Sequence, residues 1–419
     1  MKRRSFIKAG ISLGGLGGFG SLGSIGLANL LNGVSSSAFA ATNQEKISLQ
    51  QTGPMVVVFL RGGADGLAML SPLDDPHFQA ARPPEMRFTV EKAAKAEDST
   101  QPMSLNGTNF YWHPAAGPLV TLYSQKRLIV WPAAGIKDET RSHFEAQEMM
   151  ERGVHSLRTL PDPFGWMARQ VFLNKQQIQA SSATLNNLPL FAGCTTMPRA
   201  MQGANQVLAV RDLQGGVSFP GGPAGLRALQ ALGEADSNHP AAQVMVGTFS
   251  TLEQVNRALP KTDNKVLPYV SSGQTPYPGS DPGVGLRSIA RLMQANVGLQ
   301  YAWVDQGGWD THDNQPGRIN NQIAQLSNAL LAFDQDMKAQ NNPYTLVVMT
   351  EFGRRLISNK SNGTDHGHGS LAMMLGSKVD GGKMMGRWPG LDTASLDRGV
   401  DLAVTTDYLE ILKLAQASR

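Results

Sequence analysis

Seven side chains with metal-ligating chemistry lie just after apolar runs in this sequence: Asp65, Asp310, His312, Glu351, Asp365, His366 and His368. The densest group follows the run Tyr344-Thr-Leu-Val-Val-Met349. The chain there breaks at Thr350-Glu-Phe-Gly-Arg-Arg355 and delivers Thr364-Asp-His-Gly-His-Gly369 directly before a second apolar run, Ser370–Gly376. In an extended segment, residues two apart point the same way, so His366 and His368 are expected to address one ion. The alternative is a polar, glycine-rich surface loop. Carboxylates and imidazoles without thiolates suit Zn²⁺, Mn²⁺ or Mg²⁺ rather than iron–sulfur or blue-copper chemistry. Ser142-His143 joins the set as a hydroxyl and an imidazole at the start of a helix. No H-E-x-x-H, cysteine pair or EF-hand loop occurs, so placement carries the expectation rather than spacing.

Strands must bring these residues together. Met55–Leu60, Arg127–Trp131, Leu299–Val304 and Tyr344–Met349 are continuous β-branched or apolar runs, suited to strands buried on both faces. Helices are expected at His113–Ser124, from Ser142 to Arg152, at Leu286–Asn296, Ile319–Ala339 and Thr405–Ala415. Ser142 with Glu145 reads as a capping box. Strand–helix alternation predicts an α/β fold with a mostly parallel sheet sandwiched between helices. Polar side chains at its strand ends then converge although far apart in sequence. Residues of about 160–285, rich in Pro and Gly, read as an irregular inserted cap.

The first forty residues read as an export signal. Lys2-Arg-Arg-Ser-Phe-Ile-Lys8 matches a twin-arginine motif, and Ala38-Phe-Ala40 a cleavage site. Gly15-Leu-Gly-Gly-Phe-Gly20 fits the dinucleotide fingerprint, but no strand precedes it. The expected product is a periplasmic or otherwise exported domain of residues 41–419, delivered by the twin-arginine machinery and without a stable membrane span. The signal's four bases account for the net charge of +4: the remaining 33 Lys and Arg balance 33 Asp and Glu. No nucleic-acid partner is therefore indicated. The single cysteine, Cys194, excludes an intrachain disulfide and reads as a small buried apolar residue.

Phe59-Leu-Arg-Gly-Gly-Ala-Asp-Gly66, Arg141-Ser-His-Phe-Glu-Ala-Gln147, Gln306-Gly-Gly-Trp-Asp-Thr-His312, Met349-Thr-Glu-Phe-Gly-Arg354 and Gly363-Thr-Asp-His-Gly-His-Gly369 resemble, in this order, the domain-of-unknown-function 1501 family. These exported proteins are similar in fold to alkaline phosphatases and sulfatases. The resemblance implies an alkaline-phosphatase-like fold and a metal-dependent phosphate- or sulfate-ester hydrolase or transferase, acting on a small-molecule or glycan ester. Carried over by residue, Asp65 takes the place of the first-strand Asp ligand and Ser142 that of the nucleophile, with His143 beside it. Asp310 and His312 stand for the central Asp/His pair, and His366 or His368 for the distal His. The departure is Glu351-Phe352, where the superfamily has an Asp-His pair. One imidazole is lost there, which motivates the alternative of a non-catalytic periplasmic binding or assembly protein that keeps the fold.

Overall fold

The computed structural model describes residues 53–95, 109–159, 163–179, 188–217, 219, 221–235 and 240–419. The expected signal and its cleavage site lie outside them. In chain order the elements that build the site are β1 (Met55–Leu60), α1 (Gly117–Ser124), β2 (Leu128–Gly135), α2 (His143–Arg152), α3 (Trp166–Gln179), β3 (Leu190–Ala192), β4 (Val207–Ala209), α4 (Gly222–Ala235), α5 (Pro240–Ala258), α6 (Gly283–Gln294), β5 (Tyr301–Gln306), α7 (Gln315–Ala339), β6 (Thr345–Met349), β7 (Ser370–Gly376), β8 (Lys383–Met384), β9 (Thr406–Asp407) and α8 (Tyr408–Ala417).

Among the described residues nine strands form one sheet in the order β8-β2-β7-β6-β1-β5-β3-β4, with β9 also on β2. The sheet is mostly parallel. β1 runs parallel to β5 and β6, pairing Val57 with both Trp303 and Val347. β7 alone runs against its neighbours, β6 and β2. Every residue of β1 and β6 is buried, as their unbroken apolar runs require. Val56 and Val58 pack on one face with Leu119 of α1, Leu286 of α6 and Ile323 of α7. Met55, Val57 and Phe59 pack on the other with Met150 of α2, Met167 of α3 and Ile411 of α8. The helices thus sandwich the sheet. No helix among the described residues is long and apolar enough to cross a membrane.

Three expectations are corrected. The second strand does not close at Pro132 but runs on to Gly135. Between Ser370 and Ala372 of β7 the partner advances from Ala134 to Trp131, a bulge that absorbs the proline's missing N–H. The segment 160–285 is not all cap, because β3 and β4 extend the sheet beyond β5. These strands are three residues long, too short to show a periodicity among prolines and glycines. The capping box is also absent. Ser142 makes no side-chain cap bond, and Glu145 instead accepts from the Thr140 hydroxyl at 2.7 Å.

Candidate metal centre

Three imidazoles meet at one carboxylate. His143 Nε2 lies 3.1 Å from His366 Nε2, and His312 Nε2 lies 3.0 Å from that same atom. Asp310 reaches His312 Nε2 at 3.0 Å, His366 Nε2 at 3.4 Å and His143 Nε2 at 3.7 Å. His143, Asp310 and His366 each offer a donor atom, all within 4.8 Å of one another.

The local sequence explains each position. His143 is the first residue of α2, and Gln147, one turn on, shares its face; both donate to Glu351 Oε1, at 2.8 and 2.7 Å. Asp310 and His312 alternate with Thr311, which is fully buried and donates to Gln315 of α7. The turn after β1 also matters. Gly62 has φ +120°, and a Cβ there would stand 2.4 Å from the Asp310 nitrogen. His366 sits in a β-bridge with Arg354.

The remaining ring nitrogens decide what this cluster can hold. His143 Nδ1 faces the Glu351 carboxylate at 2.8 Å, His312 Nδ1 the Asp365 carboxylate at 3.1 Å, and His366 Nδ1 the Arg141 carbonyl at 2.9 Å. Carboxylates and carbonyls only accept, so each Nδ1 carries the proton and each neutral ring presents its lone pair at Nε2. Lone pairs 3 Å apart repel unless a cation or an added proton lies between them. The donor set fits a divalent ion.

Electrostatics keep these groups ready to bind. Burial raises the Asp310 carboxyl, but the Arg354 guanidinium and the imidazoles of His312 and His143 outweigh it and hold the group below its usual range. Burial, with the nearby His143 and Arg354, holds His366 below the ordinary imidazole value against the pull of the Arg141 carbonyl. His366 is therefore neutral near pH 7, as a ligand must be.

Other sequence candidates do different work. Asp65 is 1 % exposed. One of its oxygens caps Ala68; the other accepts from Arg82 at 2.7 Å and Gln315 at 2.6 Å. Its carboxylate is spent on a buried ion pair and is not among the gathered donors. Glu351 is fully buried behind His143 and also accepts from the Gly62 N–H at 2.8 Å. Burial pushes its carboxyl up, yet the donors from His143, Gln147 and Gly62 prevail and lower it. It holds the His143 ring in place and is not among the gathered donors. Asp365 does the same for His312 while accepting from Asn359 at 3.2 Å; the two bonds lower its carboxyl.

His368 does not share an ion with His366. The chain bends after the bridge, and the His368 ring nitrogens face Asp397 at 2.9 Å and the Ile136 carbonyl at 3.0 Å. Its two-residue spacing from His366 misled because residues 366–369 are not a strand. Ser142 lies beside His143 but bonds to none of the four converging donors through its side chain. Arg61 pairs with Asp305 at 2.8 Å and Glu151 at 2.7 Å. Trp309 and Phe352 are buried packing residues, and Phe352 lies against the rings of His143 and His366.

Arg354 escaped sequence reasoning. Fully buried, it bonds Asp310 and the carbonyls of Gly62, Gly63, Trp309 and Thr364, tying three loops together. Its partners are mostly backbone atoms from distant loops, which leave no local signal. Gln147 was findable, four residues after a candidate His on a helix. A cavity of about 320 Å³ in the inserted segment is lined by Phe219, Leu252, Arg257 and others, none of them at this centre.

A helix-sandwiched, mostly parallel sheet thus carries a His/Asp group able to hold a metal at its loop cluster. Residues 197–411 match the family described as "Protein of unknown function (DUF1501)", half of the chain, and the chain belongs to that family. No curated protein matches it significantly. Among solved structures it is similar to the C-terminal periplasmic domain of Escherichia coli EptC in complex with Zn, at 11 % identity and TM-score 0.37, covering 88 % of this chain and 82 % of that one. It is also similar to alkaline phosphatase from the Antarctic bacterium TAB5, at 10 % identity and TM-score 0.31, covering 78 % and 91 %. Superpositions this loose carry no residue roles across.

Proposed function

We propose that this chain is an exported metal-dependent hydrolase or transferase of phosphate or sulfate esters, with its centre at His143, His312, His366 and Asp310. One observation carries the reading: three Nε2 atoms converge on Asp310 while each Nδ1 is turned to an acceptor. A bound divalent cation would supply Lewis acidity, polarising the oxygens of an ester. The protein's own groups do the rest. Glu351, Asp365 and the Arg141 carbonyl hold the rings in one tautomer and orientation. Arg354 fixes Asp310 while leaving 47 % of its side chain exposed, so the centre opens to solvent and to a substrate.

The bare cluster is negative. Arg354 is matched by Asp310, and Glu351 and Asp365 add further charge, so an anionic ester is repelled until a cation is bound. Ser142, at the N-terminus of α2 with no cap bond to make, is the hydroxyl best placed by sequence to act as nucleophile. The twin-arginine motif supports export to the periplasm.

Metal content of the folded, exported protein tests the proposal. Zn or Mn co-purifying without chelators, and lost in His366→Ala, is the expected result. A metal-free preparation with no ester hydrolysis on adding metals sinks it. A second reading, a non-catalytic binding or assembly protein, draws support from the buried ion pair that occupies Asp65. Under that reading, Asp310→Ala and His366→Ala leave the cellular phenotype of the wild type intact; under the first they abolish it.

A further inference from the structure

We infer that the centre takes a single first-row transition-metal ion, not a pair, and discriminates against Mg²⁺. The inference rests on the metal-centre reading above and deepens it. A two-metal site needs two sets of donors facing a shared gap. Among the described residues one set is present: His143, His366 and Asp310 within mutual reach, with His312 Nε2 3.0 Å from both His366 and Asp310.

The residues available for a second set are committed elsewhere. Asp65 is held by Arg82 and Gln315, and Glu351 by Gly62, Gln147 and His143. His368 has a protein acceptor at each ring nitrogen. Asp365 backs His312 and accepts from Asn359. The Asp65, Glu351 and His368 bonds are those of buried groups, and taking Asp65 for a second ion would break its ion pair with Arg82, which would keep only the carbonyls of Leu356 and Arg355.

The donor types choose the ion. Three imidazole nitrogens and one carboxylate oxygen suit Zn²⁺, Mn²⁺ or Fe²⁺, whereas Mg²⁺ seeks six oxygens and keeps its waters. The half-exposed side chains of Asp310 and His312 mark the side of the donor set that faces solvent.

Loading the mature protein with excess Mn²⁺, removing unbound ion and measuring manganese per chain tests the count; the electron paramagnetic resonance spectrum of the same sample tests the pairing. One ion per chain with an uncoupled six-line spectrum is expected, and a large excess of Mg²⁺ should not displace it. His312→Ala should weaken Mn²⁺ binding about tenfold or more. Asp365→Asn, which leaves all four donors in place, should still bind one ion. Two ions per chain with an exchange-coupled spectrum, displacement by Mg²⁺, or unchanged affinity in His312→Ala overturns the inference and leaves the metal-centre reading standing. No ion at all sinks both.

Discussion

At the scale of single residues, position behind a ligand separates Glu351 from His368, which the sequence presents as equals. Glu351 touches the centre through His143 Nδ1, so its charge sets how strongly His143 donates. Glu351→Gln is expected to weaken Zn²⁺ binding about 10- to 100-fold, because such outer partners carry that share of affinity. His368→Gln should do the reverse: lose about 1–3 kcal/mol of stability from the buried Ile136 carbonyl left without its partner and from Asp397, which would keep only Arg141, with metal content unchanged. Competition with a chelator and urea unfolding, run on both variants, check the pair. Equal metal loss in the two would put His368 back at the centre.

At the scale of elements, the site depends on how closely the turn after β1 meets the loop after β5. Trp309 N–H donates to the Arg61 carbonyl at 3.3 Å, and Arg354 clamps both loops from below. Gly62→Ala must place a methyl against the Asp310 nitrogen at a positive φ. We expect it to cost about 1–3 kcal/mol in unfolding free energy and to lower metal affinity by displacing Asp310. Full affinity in a folded Gly62→Ala protein would show that the turn only spaces the strands. Element types were largely readable beforehand. Unbroken apolar runs marked β1, β5 and β6, and apolar stripes marked α6 and α7. β3 and β4 were not readable, since three-residue strands owe their existence to pairing with β5.

At the scale of the whole molecule, acid stability can be traced to a site far from the candidate chemistry in sequence. His113 precedes α1, its Nδ1 accepts from the Ala115 N–H, and burial lowers it from 6.5 to about 4. The folded form therefore resists protonation that the unfolded chain accepts. Its contribution is complete above pH 6.5 and is lost as pH falls from there toward about 4. His113→Asn, which keeps a capping acceptor, should flatten the fall in melting temperature across that window relative to wild type. An unchanged slope would assign the acid sensitivity to the buried carboxylates instead.

Side-chain chemistry and hydrophobic patterning lie in the sequence itself, because burial dictates residue type position by position. They determined the α/β class, the strand ends as the place for polar groups, and the candidates Asp310, His312, His366 and His143. Which candidates share a point was left to the tertiary structure. Whether Asp65 binds an ion or Arg82, and whether His368 follows His366 or turns to Asp397, depends on contacts between segments 17 to 250 residues apart. A donor's role is set by what fills its other lone pairs, and those partners arrive only when the chain has folded.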